Sequence, residues 1–204
     1  MSSAPQVTED DCRRELLFCL LGGHGVSYEL SLSAAQVLSS RGVFGDCERR
    51  GDRLQRYVQD LLSRPWYEPR RLDGGGRRYR YPNRKAEVVR GADDWLRVQA
   101  SQGLLRALES IPEQCERRSW LCSCPGVGPK TASWVLRNVG LGNDLAILDV
   151  HILRALEQSG RIAEYRLPRD YAYAESVFLQ WSEDIGAPPA AFDLFLWEFG
   201  RGDL

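Results

Sequence analysis

The chain has 204 residues, 43% of them hydrophobic and 27% charged, enough for one sizeable core or two small lobes. No run approaches the ~20 apolar residues of a membrane span, and the N-terminus lacks the basic-then-apolar pattern of a secretory leader, so the expected setting is cytoplasmic, with no membrane. A net charge of −1 excludes a uniformly basic surface, and a polyanionic partner would have to be met by segregated basic residues.

Along the chain, Thr8 with Asp11 three residues on has the form of a capping box. It opens a helix whose apolar residues are Leu16, Leu17, Leu20 and Leu21, closed by Gly22-Gly23-His24-Gly25. Ser33 is placed to cap a helix through Val37 and Leu38, and Asp46 another carrying Leu54, Val58 and Leu61. Residues 68 to 82 form the one long irregular stretch, where Gly74-Gly75-Gly76 sits among arginines. The richest basic cluster runs through it, from Arg70 and Arg71 by way of Arg77, Arg78 and Arg80 to Arg84 and Lys85, with Tyr79 and Tyr81 interleaved. It reads either as a solvated loop or as a contact for phosphates and exposed bases. Tyr81-Pro82-Asn83 then begins a helix through Val88 and Val89. Further helices are predicted near 102 to 109, 113 to 122, 129 to 140, 149 to 159, 170 to 185 and 188 to 199. No stretch of four to eight residues alternates in the manner of a strand. The expected fold is all-α, in two helical lobes with a cleft between them.

Six cysteines stand at 12, 19, 47, 115, 122 and 124. An intracellular chain with its own core rarely needs disulfides. Cys122-Ser123-Cys124 beside Cys115 offers three thiols toward zinc, but a fourth ligand of suitable spacing is missing. They are read as buried or incidental thiols, and no metal is assigned.

The most specific feature is Cys124-Pro125-Gly126-Val127-Gly128-Pro129-Lys130-Thr131-Ala132, followed nineteen residues after the lysine by Asp149 in Leu148-Asp149-Val150-His151. Lys130 and Lys85 are the only lysines, against twenty-five arginines. Arginine serves as well for surface charge but cannot act as an amine nucleophile, since its guanidinium stays protonated. A lysine kept here has a chemical task. Gly126 and Gly128 permit a tight reversal with positive φ, and Pro129 suits the first helical position. A helix through Ala132, Val135, Leu136 and Val139 follows, whose N-terminal N–H groups favour an anion such as a phosphate.

These residues resemble the helix-hairpin-helix DNA glycosylases, and among them the lysine-bearing 8-oxoguanine DNA glycosylase/AP lyases. PGVGPKTA and LAILDVHILR carry the likeness, strong over residues 115 to 158 and looser over most of the chain. The helix-hairpin-helix falls at about 113–140, within a single helical glycosylase unit spanning 1–204. The length leaves no room for the N-terminal β-domain of larger members, so the likeness is to the short all-helical type. The resemblance implies a two-lobed fold with the active site in the cleft between lobes. It makes Lys130 and Asp149 the catalytic residues, and Gly126, Gly128 and His151 contacts to the DNA backbone. Arg84 and Lys85 fall where a helix borders the base pocket and are assigned to DNA binding. His24, in the loop after the first long helix, falls where a residue fills the gap left by the flipped base, although relatives often carry asparagine or glutamine there. Trp197 and Tyr81 are candidates to stack on the extruded base, each also readable as a core aromatic, and the tail Arg201-Gly202-Asp203-Leu204 as a closure of the pocket.

The resemblance thus implies a monomeric, bifunctional DNA glycosylase/AP lyase that excises 8-oxoguanine from double-stranded DNA by Schiff-base chemistry and β-elimination, with no redox or organic cofactor. Hairpin carbonyls are of the kind that hold a monovalent cation. The iron–sulfur cluster of the endonuclease III type is excluded, since no cysteine follows Asp149. Two alternatives stay open: a glycosylase for another oxidised or damaged base, and a non-catalytic helix-hairpin-helix module that only holds DNA. The second has no need of a lysine–aspartate pair.

Overall fold

A computed structural model describes residues 6–23, 25–45 and 47–201, without the side chain of Arg201. His24, Asp46 and the tail 202–204, which carry expectations above, lie outside the described residues. The chain forms ten helices among those described: α1 (Glu9–Leu21), α2 (Tyr28–Ser40), α3 (Gly51–Ser63), α4 (Pro82–Gln99), α5 (Leu104–Glu109), α6 (Gln114–Leu121), α7 (Pro129–Asn138), α8 (Val150–Gln158), α9 (Tyr171–Asp184) and α10 (Pro189–Arg201). The only strand-like pairing among the described residues is an isolated antiparallel bridge between Tyr67 and Arg77. The fold is all-α, as the absence of alternation requires. Among the described residues no helix is long and apolar enough to cross a membrane.

The chain divides into two compact units, one of residues 1–111 and 120–127, the other of 112–119 and 128–204. In the first, α1 lies against α2, α4 and α5, and α3 lies along α4. Leu16, Leu17, Leu20, Leu21, Leu38, Leu54 and Leu62 fill its core, with the large ring of Tyr67 fully buried among them. The capping box of α1 forms: Thr8 Oγ1 accepts from the Asp11 N–H, and Asp11 Oδ2 accepts from the Thr8 N–H. Glu9, in the first turn of α1, caps α5, its two carboxylate oxygens taking the Leu104 and Leu105 N–H groups at 2.6 and 2.8 Å.

Two helix starts differ from expectation. The cap of α2 is Ser27, whose Oγ accepts from the Leu30 N–H. Ser33 lies inside α2 and accepts instead from the Glu68 N–H at 3.1 Å, a partner thirty-five residues away. Helix α3 begins at Gly51 behind Arg50, with no side-chain cap. The irregular stretch is pinned at its base by the paired N–H and C=O groups of Tyr67 and Arg77. It holds its arginines out while turning Tyr79 in: that ring is 3% exposed, and its hydroxyl donates to the Leu21 carbonyl. Tyr79 is therefore a core residue and not a contact for nucleic acid.

The second unit is built on α8, α9 and α10. Leu148, Ile152, Leu153, Leu156, Tyr171, Phe178, Phe192 and Leu196 form its buried cluster. Phe178 and Phe192 stack at 5.3 Å, and Trp181 meets Phe192 edge-on at 4.9 Å.

Gly126 and Gly140 both have left-handed backbones, at φ +83° and +75°. A methyl group at 126 would overlap the Val88 side chain, whereas nothing lies near one at 140. Gly140→Ala is expected to cost ~1 kcal/mol from backbone strain alone, or about 3 °C in melting temperature. Gly126→Ala, with overpacking added, should cost about 3 kcal/mol, and equal melting temperatures for the two variants would contradict this packing.

Candidate active site

The hairpin delivers Gly128 as the N-cap of α7 in extended conformation, so that of the two hairpin glycines only Gly126 takes the expected positive φ, with Pro129 at the first helical position and Lys130 at the second. The Ala132 N–H closes the first turn on the Gly128 carbonyl at 2.9 Å. Ala132, Ser133, Val135 and Leu136 are the buried face of α7, which leaves Lys130 half-buried at its rim. The Lys130 Nζ lies 5.9 Å from the ring centroid of Trp134, one turn on, within range of a cation–π contact.

After α7 the chain turns at Gly140 and runs without helix to Asp149. Leu145, Ala146 and Leu148 in this segment are buried, and among the described residues no neighbouring strand takes their backbone groups. Side chains take them instead. The Ala146 N–H donates to Glu175 Oε1 at 3.1 Å, and the Ala146 carbonyl accepts from the Tyr171 hydroxyl at 2.9 Å. The Ile147 N–H donates to Asp193 Oδ2 at 3.2 Å, and the Leu145 carbonyl accepts from Arg137. Each carboxylate also holds an arginine. Asp193 is gripped by both terminal nitrogens of Arg137, at 2.9 and 2.8 Å, and Glu175 is paired with Arg118. Burial pushes the Asp193 carboxyl above its ordinary range although Arg137 and the Ile147 N–H pull it down. The same cause raises the Tyr171 phenol to about 12.

This segment ends in Asp149, the N-cap of α8, whose Oδ1 accepts from the His151 and Ile152 N–H groups at 2.8 and 3.0 Å. Both bonds fall on one oxygen. Among the described residues Oδ2 takes no part in the cap. His151, in the first turn of α8, packs against α10 so closely that a methyl group at Gly200 would come within 2.6 Å of Nδ1 and 2.8 Å of Cβ. Trp197, also on α10, is partly buried against the core of this unit. Leu194, Phe195 and Phe199 on the same helix are exposed.

Lys130, Asp149, His151, Gly128 and Trp197 are thus carried by the second unit, and Gly126, Tyr81, Arg84 and Lys85 by the first. Arg84 is exposed, and Tyr81 is the half-buried N-cap of α4. Lys85 is turned inward. Its ammonium donates to the carbonyls of Leu20 and, at 2.6 Å, Gly22, closing the end of α1. Burial draws its pKa down to about 8.

The clamp on residues 145–148 was missed in the sequence. One signal was present: Asp193 stands on the apolar stripe of α10 between Phe192 and Leu196, where a carboxylate needs a partner.

A lysine-bearing helix behind a glycine hairpin and an aspartate capping the next helix agree with the resemblance seen in the sequence. The chain belongs to the 8-oxoguanine DNA glycosylase family, whose family model matches residues 70–187. It is 28% identical to the 8-oxoguanine DNA glycosylase/AP lyase of Thermotoga petrophila, over 97% of this chain and 83% of that protein. The solved 8-oxoguanine DNA glycosylase of Thermotoga maritima superposes with a TM-score of 0.70 at 28% identity, over 94% of this chain and 80% of that one. A Methanocaldococcus jannaschii 8-oxoguanine glycosylase/lyase, solved with a 15mer DNA containing 8-oxoguanine, has the same fold, with a TM-score of 0.72 at 22% identity over 96% and 83% of the two chains.

The close approach of Gly200 to His151 has a measurable consequence. Gly200→Ala is expected to cost ~1–3 kcal/mol, because the Cβ of His151 cannot swing away as a flexible chain end could. Thermal melting checks this, and an unchanged melting temperature would show that α8 and α10 are not packed this tightly.

Proposed function

We propose that this protein removes 8-oxoguanine from duplex DNA and then cleaves the strand at the abasic site, with Lys130 as nucleophile and Asp149 as electrostatic stabiliser. The observation that carries the reading is the site pair itself. One of only two lysines stands at the start of a helix behind a hairpin, and an aspartate fixed through one oxygen keeps the other for a second role. Membership of the family and the names of its relatives support the choice of lesion.

The glycosidic carbon is unreachable inside the base stack, so the lesion must be extruded. As the bond from C1′ to the base nitrogen breaks, the base leaves with the electron pair and takes up a proton. The sugar becomes cationic, and the Asp149 carboxylate stabilises that charge. The neutral amine of Lys130 then bonds to C1′ and loses a proton. Ring opening gives the Schiff base, which acidifies C2′. Removal of that proton expels the 3′ phosphate, and water later releases the lysine. The exposed arginines around Arg84 and the N–H groups at the start of α7 suit the flanking phosphates. Trp197 and Tyr81 supply aromatic faces for the base.

Borohydride is expected to trap a covalent adduct with an 8-oxoguanine duplex, and Lys130→Gln to abolish trapping while DNA binding persists. Full trapping by that variant would move the nucleophile elsewhere. A panel of single-lesion duplexes separates this reading from a glycosylase for another base, and absence of any base release would leave only a DNA-holding module.

Asp149→Asn separates catalysis from capping. Asparagine caps a helix about as well as aspartate, so stability should hold while single-turnover excision slows by ~10²-fold, the scale of a lost electrostatic stabiliser. Near-normal excision by the variant would reduce Asp149 to a cap.

A further inference from the structure

The buried carboxylates Glu175 and Asp193 do something ordinary ion pairs do not. They take consecutive backbone N–H groups, Ala146 and Ile147, from helices α9 and α10 respectively. Two acceptors on two different helices thus hold consecutive amides of the segment. Tyr171 adds a third point by donating to the Ala146 carbonyl. The next residue but one after Ile147 is Asp149, whose cap holds only its Oδ1. The direction in which Oδ2 points is set by the backbone that enters the cap, and therefore by this clamp. Through Arg137, Asp193 is also tied to α7, the helix that carries Lys130.

We infer that Asp193, held bidentately by Arg137 and working with Glu175 on the neighbouring amide, is a positioning residue for Asp149: by fixing the backbone at 146 and 147 it aims the free carboxylate oxygen at the sugar. Asp193 touches no substrate. Its effect passes through Asp149 and falls on base loss, the step in which positive charge develops on the sugar. An abasic site already presents an aldehyde to the lysine and makes little demand on that charge. The inference rests on the catalytic reading of Asp149 given above.

Asp193→Asn is the variant to measure, since asparagine keeps the size and can still accept from the Ile147 N–H through one atom while losing the charge and the second acceptor for Arg137. It should slow single-turnover excision of 8-oxoguanine by ~10-fold, with borohydride trapping on a preformed abasic duplex within about twofold of the unaltered protein. In an Asp149→Asn background the same change should slow excision less than twofold further, because residues acting through one another are not additive. Amide exchange at Ala146 and Ile147 should quicken while α8 stays protected. A full ~10-fold loss on top of Asp149→Asn would overturn the proposal by showing that Asp193 acts independently, and an equal loss of trapping at the abasic site would do so by showing general damage. Should Asp193→Asn not fold, Glu175→Gln, which removes the charge facing the adjacent amide, carries the same four measurements. Normal excision by Asp149→Asn alone would instead refute the catalytic role of Asp149, an outcome distinct from either result for Asp193.

Discussion

A buried stretch of non-helical backbone in an all-helical unit is the constraint around which the candidate site is organised. Residues 145–148 carry N–H and C=O groups that must find partners once they leave water, and the described residues form no sheet to offer them. Three helices answer with side chains: Arg137 from α7, Tyr171 and Glu175 from α9, and Asp193 from α10. As sources of stability these buried ion pairs are poor, because desolvation offsets most of their attraction. As determinants of one geometry they are effective. On any other path of the segment each carboxylate would lose its amide donor and the buried amide its acceptor, so the alternatives are penalised.

What could be read from the sequence was local, and what could not was long-range. The hairpin, the helix behind it and the capping aspartate all lie within about twenty-five residues, and their turn and cap chemistry is written in neighbouring side chains. The capping box of α1 was legible for the same reason, since Thr8 and Asp11 satisfy each other. Ser33 misled because its hydroxyl serves the Glu68 N–H across thirty-five positions while Ser27 does the capping. Tyr79 misled likewise: between arginines it looks like part of a binding loop, yet its partner is a carbonyl fifty-eight residues earlier. Asp193 and Glu175 needed the fold to bring α9 and α10 to the segment before Asp149.

The first unit solves a comparable problem at the end of α1. That helix has no basic residue in its last turn and ends in Gly22 with an extended backbone, so its final carbonyls need donors from elsewhere. Lys85 supplies two bonds, Tyr79 and Ser31 reach the Leu21 carbonyl, and Arg80 takes the Gly25 carbonyl at 3.0 Å. Gly22 and Gly25 are thereby tied to Lys85 in the first turn of α4 and to Arg80 just before it. Positive charge at a helix C-terminus is also favourable to the macrodipole, which gives Lys85 a structural reason to be there.

The near-absence of lysine carries a consequence of its own. A sugar aldehyde condenses with any free amine it meets, so a protein studded with lysines would present a damaged strand with many nonproductive encounters. Here one lysine is engaged on backbone carbonyls inside the first unit, and the surface charge is carried by guanidinium groups that do not condense. With Lys130 as the nucleophile proposed above, selectivity for one point of covalent attachment would come partly by subtraction, through a surface on which few side chains can react with the intermediate.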